Sequence, residues 1–501
     1  MMKPSLLRAF GLLLLFIVLE ASTIRAMAES HNPGAERLPH TDPGNLGEWQ
    51  LQDAFSDEFN VDTLSSIWHV QGKDDGQGAY YNANKGRNSQ FIPEAISPSE
   101  GILRIKSDWN PGFAFATGYG VPPITTGALI SKELLKYGYM EIRCRVGKSP
   151  MSGAFWAVGN GVGDGHRGEL DVFEHVGQSW DAQKDNADIS TTMQMSIHNW
   201  DRSINENLVN RRHWTQKHSL GFDVTDGMHV YAADWTEDYI KFYVDGTLVR
   251  TLSKEEADGI KLNGLGGWVI DNAQRVWIDC ELFDWEGRVS ELKADMFGDE
   301  AVFEVDYVRV WKRGPGGKHN QAEQGANLVT NGNFATNLDG WKTQGLVAIQ
   351  DVSKWKYWKD NNPSLDPNTM QIGAGGTGAA SQVISVEPKT KYILTAYLRT
   401  PATTGTLEPS NLRVKPVVFH EGWMGVEDYG GSRLTRKFFH NWFQSYSIEF
   451  TTGRDDKTAT IFFNNSETQR GGLMHVDEVT VVKMNDLRLG SVPDLPAGKT
   501  E

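Results

Sequence analysis

The chain has 501 residues, with 49 Lys and Arg against 64 Asp and Glu, for a net charge of −15. That length favours two folded domains over one, and that charge disfavours nucleic acid, whose partners present a basic face. With 52 Gly and 17 Trp but only 2 Cys, the composition suggests a turn-rich β protein with flat ring surfaces suited to sugars. It excludes disulfide-dense and Cys-rich zinc scaffolds.

The N-terminus reads as a secretory signal peptide over residues 1–28. Lys3 and Arg8 precede an apolar run from Ala9 to Leu19, and Ala26-Met27-Ala28 supplies the small-residue cleavage site. The apolar run is too short for a bilayer, which needs about 20 residues. The expectation is an exported chain, extracellular or periplasmic, that begins near Glu29, has no membrane partner after cleavage and acts as a monomer.

From Trp49 to Arg313 the chain reads as short strands separated by turns. Gly138 to Val146, His229 to Trp235, Tyr239 to Val244 and Val302 to Trp311 alternate apolar and polar residues. Asp245-Gly246 marks a hairpin turn. Helical periodicity is scarce, with one short turn expected at Ser290 to Ala294. The pattern predicts an all-β, antiparallel sandwich domain over 46–313. Residues 314–326 are Gly-rich and polar, a flexible linker. Residues 327–485 form a second strand-rich block, with strands over Lys391 to Arg399, Trp442 to Phe450 and His475 to Val482, and predict a smaller β-sandwich. Residues 486–501 read as a tail. Cys144 and Cys280 both fall in strand-like runs; a disulfide and two buried thiols are both open from sequence.

The chemistry sits in GELDVFEH, residues 168–175. Three carboxylates, Glu169, Asp171 and Glu174, interrupt an apolar strand, although carboxylates buried in one row repel each other and lose hydration. Glu169 and Asp171 are two apart and share a face. Glu174 falls on the opposite face of a regular strand, and one extra bulged residue restores it. A closely spaced carboxyl pair is what a retaining glycosidase needs: one ionised to attack, one protonated to release the leaving oxygen. The alternatives are a solvated acidic edge or a calcium-binding row; Leu170, Val172 and Phe173 argue for a strand backed by a core.

GELDVFEH resembles the bulged E-[hydrophobic]-D-x-x-E signature of family 16 glycoside hydrolases. SDEFN (56–60), TTGALISKELLKYGYMEIRCRV (125–146), GAFWAVG (153–159), HVYAADWTEDYIKFYVDG (229–246) and FEVDYVRVW (303–311) are similar to other strands of that family, in the same order. The resemblance implies a jelly-roll sandwich with a concave cleft, and a retaining endo-hydrolase that needs no cofactor for catalysis. It implies Glu169 as nucleophile, Asp171 as its assistant, Glu174 as acid/base and Trp156 as a sugar-stacking residue. His198 lies on a strand that in this family runs beside the catalytic one, and reads either as substrate-binding or as a core histidine. Trp180, Trp200 and Trp214 read as sugar platforms or as packing.

WHVQG (68–72), KGRNSQFIPE (85–94) and CELFDWEG (280–287) resemble the agar- and carrageenan-degrading branch, which implies a red-algal galactan as the polysaccharide partner. Arg87, Arg167, Arg202 and Arg211-Arg212-His213 fall in loops and flanks around the motif strands, where arginines grip sulfate esters; ordinary surface arginines are the alternative. An endo-β-1,3-glucanase is the second reading, since the catalytic run also resembles laminarin hydrolases, and a non-catalytic lectin is the third. The C-terminal block resembles β-sandwich carbohydrate-binding modules. That resemblance implies Trp355, Trp358, Trp423 and Trp442 as platforms and a structural calcium near Asn333 and Asp477.

Overall fold

The structure, a computed structural model, describes residues 37–72, 89–115, 120–159, 168–182, 189–199, 212–259, 268, 270–284, 286–314, 327–353, 367–374, 376–400, 402–403, 418–419, 421–429, 431–438, 443–465 and 472–484. The signal-peptide, linker and tail assignments lie outside these residues, apart from Gly314 at the start of the linker. Among the described residues no helix is long and apolar enough to cross a membrane.

Among the described residues the fold is all-β, with one short helix, Lys254–Gly259. The helical turn expected at Ser290 to Ala294 is split into two 3-10 turns, Val289–Glu291 and Ala294–Met296. Seven strands build the region that matters most here: β1 (Ser152–Val158), β2 (Gly168–Val176), β3 (Thr192–Asn199), β4 (Arg212–Ser219), β5 (Arg275–Glu281), β6 (Ser432–Phe438) and β7 (Gln444–Thr451).

One sheet runs Trp68–Val70, Ala128–Ser131, β5, β1, β2, β3, β4. An eight-stranded sheet packs behind it, and its strands include Thr247–Ser253, Tyr239–Val244, His229–Trp235, Gly138–Arg145 and Val302–Lys312. The last four are the alternating runs of the sequence. The expected hairpin turn is formed by Asp245 (φ 46°) and Gly246 (φ 74°), a conformation that Gly adopts freely. Leu170, Phe173, Ile197 and Trp214 from the first sheet meet Met140, Ile142, Phe242 and Val308 from the second in a continuous apolar core. Cys144 and Cys280 lie in this core as buried free thiols. Of the two readings open from sequence, the structure has the thiols.

The first sheet does not stop at β4. At His218 and Ser445 it passes, by a parallel pairing, into β7 and on through Lys391–Arg399, Met474–Lys483, Asn368–Ile372 and Val347–Asp351. A five-stranded sheet, edged by β6, covers these strands around a second core that includes Leu394, Tyr446, Phe450, Ile461 and Val476. The seam is densely bonded. His218 Nδ1 lies 2.7 Å from Ser445 Oγ, and the Arg436 guanidinium donates to Ser219 O, Ser219 Oγ and Ser447 O at 2.8 to 2.9 Å. Thr247 Oγ1 donates to Glu449 at 2.9 Å.

Candidate active site

β2 carries the three carboxylates, and its register with β1 explains their alignment. Trp156 pairs with Asp171 and Phe155 with Phe173, so Val172 is an extra residue with no partner of its own. This is the bulge that the spacing of Glu174 requires. On β3 the partners of Glu169, Asp171 and Glu174 are His198, Ser196 and Gln194, all on alternate positions and hence on one face. Leu170, Val172 and Phe173 supply the core behind them.

His198 Nε2 lies 3.0 Å from Asp171 Oδ2 and 3.9 Å from Glu169 Oε1. His198 therefore belongs to the carboxylate face and is half-buried there. Gln194 Nε2 donates to Glu174 Oε2 at 2.8 Å and fixes that carboxyl. Burial pushes Asp171 well above the ordinary carboxylate range, and the charges of Glu174 and Glu281 add to the shift. Glu286, which no part of the sequence reading singled out, is pushed up to about 8 by burial and by Glu174, against the lowering effect of Lys217.

Trp156 is only 6% exposed. It stacks on Trp277 with ring centroids 4.8 Å apart and donates from Nε1 to Asp279 at 3.2 Å. With Phe91, Ala128, Ile130, Ala154 and Val158 it forms a small apolar cluster separate from the main core. It serves more as the wall of the site than as an open platform. Trp180 and Trp214 are buried in the main core, so of the two readings open for them the structure has packing. Trp423 is half-buried.

Arg87, Arg167, Arg202, Arg211, Trp200, Trp355, Trp358 and Trp442, and the side chains of Arg212 and His213, lie outside the described residues. Among the described residues, the one group of three His, Cys, Asp or Glu side chains close enough to share a cation is Glu169, Asp171 and His198. No such group forms around Asn333 or Asp477, the positions read as calcium ligands. Gln194, Asp279 and Glu286 were missed. For Gln194 the signal was present: the alternation that puts His198 on the face of β3 puts Gln194 there too.

A jelly-roll sheet bearing a bulged carboxylate row, walled by aromatic rings and bridged by a histidine, defines a glycoside hydrolase. Residues 49–313 match the family profile described as "Beta-porphyranase A-D, GH16 domain". The chain belongs to family 16 of the glycoside hydrolases. It is 28% identical to beta-agarase A of Zobellia galactanivorans over 312 residues, covering 60% of this chain and 52% of that protein. Beta-porphyranase C of the same organism is also 28% identical, over 53% of this chain and 78% of the relative. The chain thus spans about half the length of the first relative and most of the second. The crystal structure of porphyranase B from that organism aligns with a TM-score of 0.44 at 24% identity, over 56% of this chain and 97% of its own.

Proposed function

We propose that the protein is an exported endo-hydrolase that cleaves a red-algal galactan with retention. One observation carries this reading: the Val172 bulge sets Glu169, Asp171 and Glu174 on one face of β2. The relatives named as agarase and porphyranase support a galactan over a β-1,3-glucan.

In this mechanism Glu169 attacks the anomeric carbon while Glu174 protonates the departing glycosidic oxygen, leaving a glycosyl ester on Glu169. Glu174 then takes a proton from water, which displaces the ester and restores both groups. Burial and the charges of Glu174 and Glu281 raise Asp171, which favours the form that donates a hydrogen bond to Glu169 as the reaction proceeds. Gln194 orients Glu174, and no cofactor is needed. Residues 46–313 constitute the catalytic domain and 327–485 a glycan-binding sandwich. Trp156 and His198 line the substrate site, and Arg87 and Arg167 hold its sulfate groups.

The test is digestion of agarose, porphyran, κ-carrageenan, furcellaran and laminarin, read by reducing-end release and by the anomeric configuration of the first product. Release from a galactan with retention is expected. Release from laminarin alone would move the protein to the glucanases, and release from none would leave the lectin reading.

A further inference from the structure

The shared sheet has two faces, and its register fixes which side the second sandwich occupies. On β4, Thr215, Lys217 and Ser219 continue the face of the carboxylates, through their pairing with Ser196, Gln194 and Thr192. His218 points to the opposite side, and its partner Ser445 shares that side. Tyr446, Ile448 and Phe450 therefore point to the carboxylate side, and there they bury the second core. The five-stranded sheet must stand on the cleft side of the shared sheet. Its β6 edge runs along the seam, since Arg436 of β6 bonds both Ser219 of β4 and Ser447 of β7.

β6 is the outermost strand of its sheet, and Ser432, Arg433, Leu434, Thr435 and Lys437 are exposed. Through Arg436 it bridges β4 and β7, which lie two and three strand spacings from β2, roughly 10 to 14 Å at ~4.8 Å per strand, a span of a few sugar rings. We propose that β6 is a wall of the cleft and binds the polysaccharide at a subsite remote from the point of cleavage. The occupant is the same galactan chain, because Ser219 on the carboxylate face of β4 is bonded directly to Arg436 of β6; this rests on the galactanase reading above. The open edge of β6 offers main-chain N–H and C=O groups to sugar hydroxyls, and Leu434, 40% exposed, offers an apolar contact to a sugar ring face.

The test uses the full chain. In Leu434→Asp and Thr435→Asp, kcat/KM on a dodecasaccharide should fall about three- to tenfold while that on a tetrasaccharide is unchanged. An unchanged ratio of the two substrates in both variants would overturn the wall. Amide exchange in Glu169→Gln gives a second readout independent of turnover: a bound dodecasaccharide should slow exchange across residues 432–438, and a tetrasaccharide should not. Equal exchange with both ligands would overturn the proposal. A wild-type chain that cleaves no galactan would sink the galactanase reading, and the exchange measurement would still decide the wall.

Discussion

His198 reaches from the neighbouring strand to place Nε2 3.0 Å from Asp171 Oδ2, while the same nitrogen lies 3.9 Å from Glu169. The three side chains act as one unit, and their substitutions should not be additive. Burial raises Asp171 and favours its protonated form; with a proton there, Asp171→Asn keeps a donor beside Glu169, whereas Asp171→Ala removes it. The Asn variant should retain more activity than the Ala variant. Equal losses in kcat would contradict a protonated Asp171.

Glu174→Gln removes the proposed acid and should lower kcat by about 10²–10⁴-fold. The loss should shrink for an aryl glycoside whose leaving group needs no proton. Glu169→Gln should lose turnover on both substrates while binding remains. A Glu174→Gln deficit of the same size on both substrates would argue against its role.

Trp156 is held by its stack on Trp277 and by its hydrogen bond to Asp279. Trp156→Ala opens a cavity and should destabilise the chain by about 3–5 kcal/mol, lowering the thermal midpoint by several degrees. Trp156→Phe keeps the stack, loses one hydrogen bond and should fall much less. A Trp156→Ala variant of wild-type stability that only weakens substrate binding would return Trp156 to the role of a sugar platform.

His175 is fully buried, stacked on Phe173 with centroids 4.3 Å apart, and among the described residues has no hydrogen-bond partner on either nitrogen. Burial lowers it to about 3 from an ordinary 6.5. Between those values the unfolded chain binds the extra proton, so stability falls as pH drops through that window. Glu141, pushed up to about 7 by burial, acts with the opposite sign, and the effect is best read as a difference between variants. Relative to wild type, His175→Leu should gain about 2–3 kcal/mol between pH 7 and pH 4.5 in urea unfolding. Parallel pH profiles would refute a neutral buried ring.

Arg250 joins the two sandwiches. It pairs with Glu256, and its guanidinium lies 5.6 Å from the Trp214 ring and 5.9 Å from the Tyr397 ring. Arg250→Ala leaves Glu256 without its partner and should cost about 3–5 kcal/mol. Calorimetry should show unfolding at a lower temperature, with His218–Ser445, Arg436–Ser219 and Thr247–Glu449 still joining the two sandwiches. An unchanged midpoint would show that Arg250 contributes little to the seam.

Much of the catalytic half was legible because its signals are local. Tyr239 to Val244 alternates and is followed by Asp245-Gly246, and the structure has that strand and that turn. The offset of Glu174 demanded a bulge, and Val172 is the bulged residue. Trp214 was open as platform or packing, and Trp156 read as a sugar-stacking residue; their settings depend on Phe242 and Trp277, which stack on them from distant parts of the chain. The seam was hidden for the same reason. His218 and Ser445 meet across a separation of 227 residues, and neither belongs to a motif. The Gly-rich linker between the blocks suggested a tethered module, but such a linker does not forbid docking.

The pairing of β7 against β4 has a meaning beyond the architecture of the cleft. A β-sheet that ends in open solvent offers its last strand to any other chain, and natural proteins guard such edges. Here the guard for the catalytic sheet is supplied by the same polypeptide, more than two hundred residues downstream. A chain cut short after the first sandwich would bare β4 to its copies. Its fate should be self-association through that edge, and its yield should fall with concentration even where each copy folds correctly.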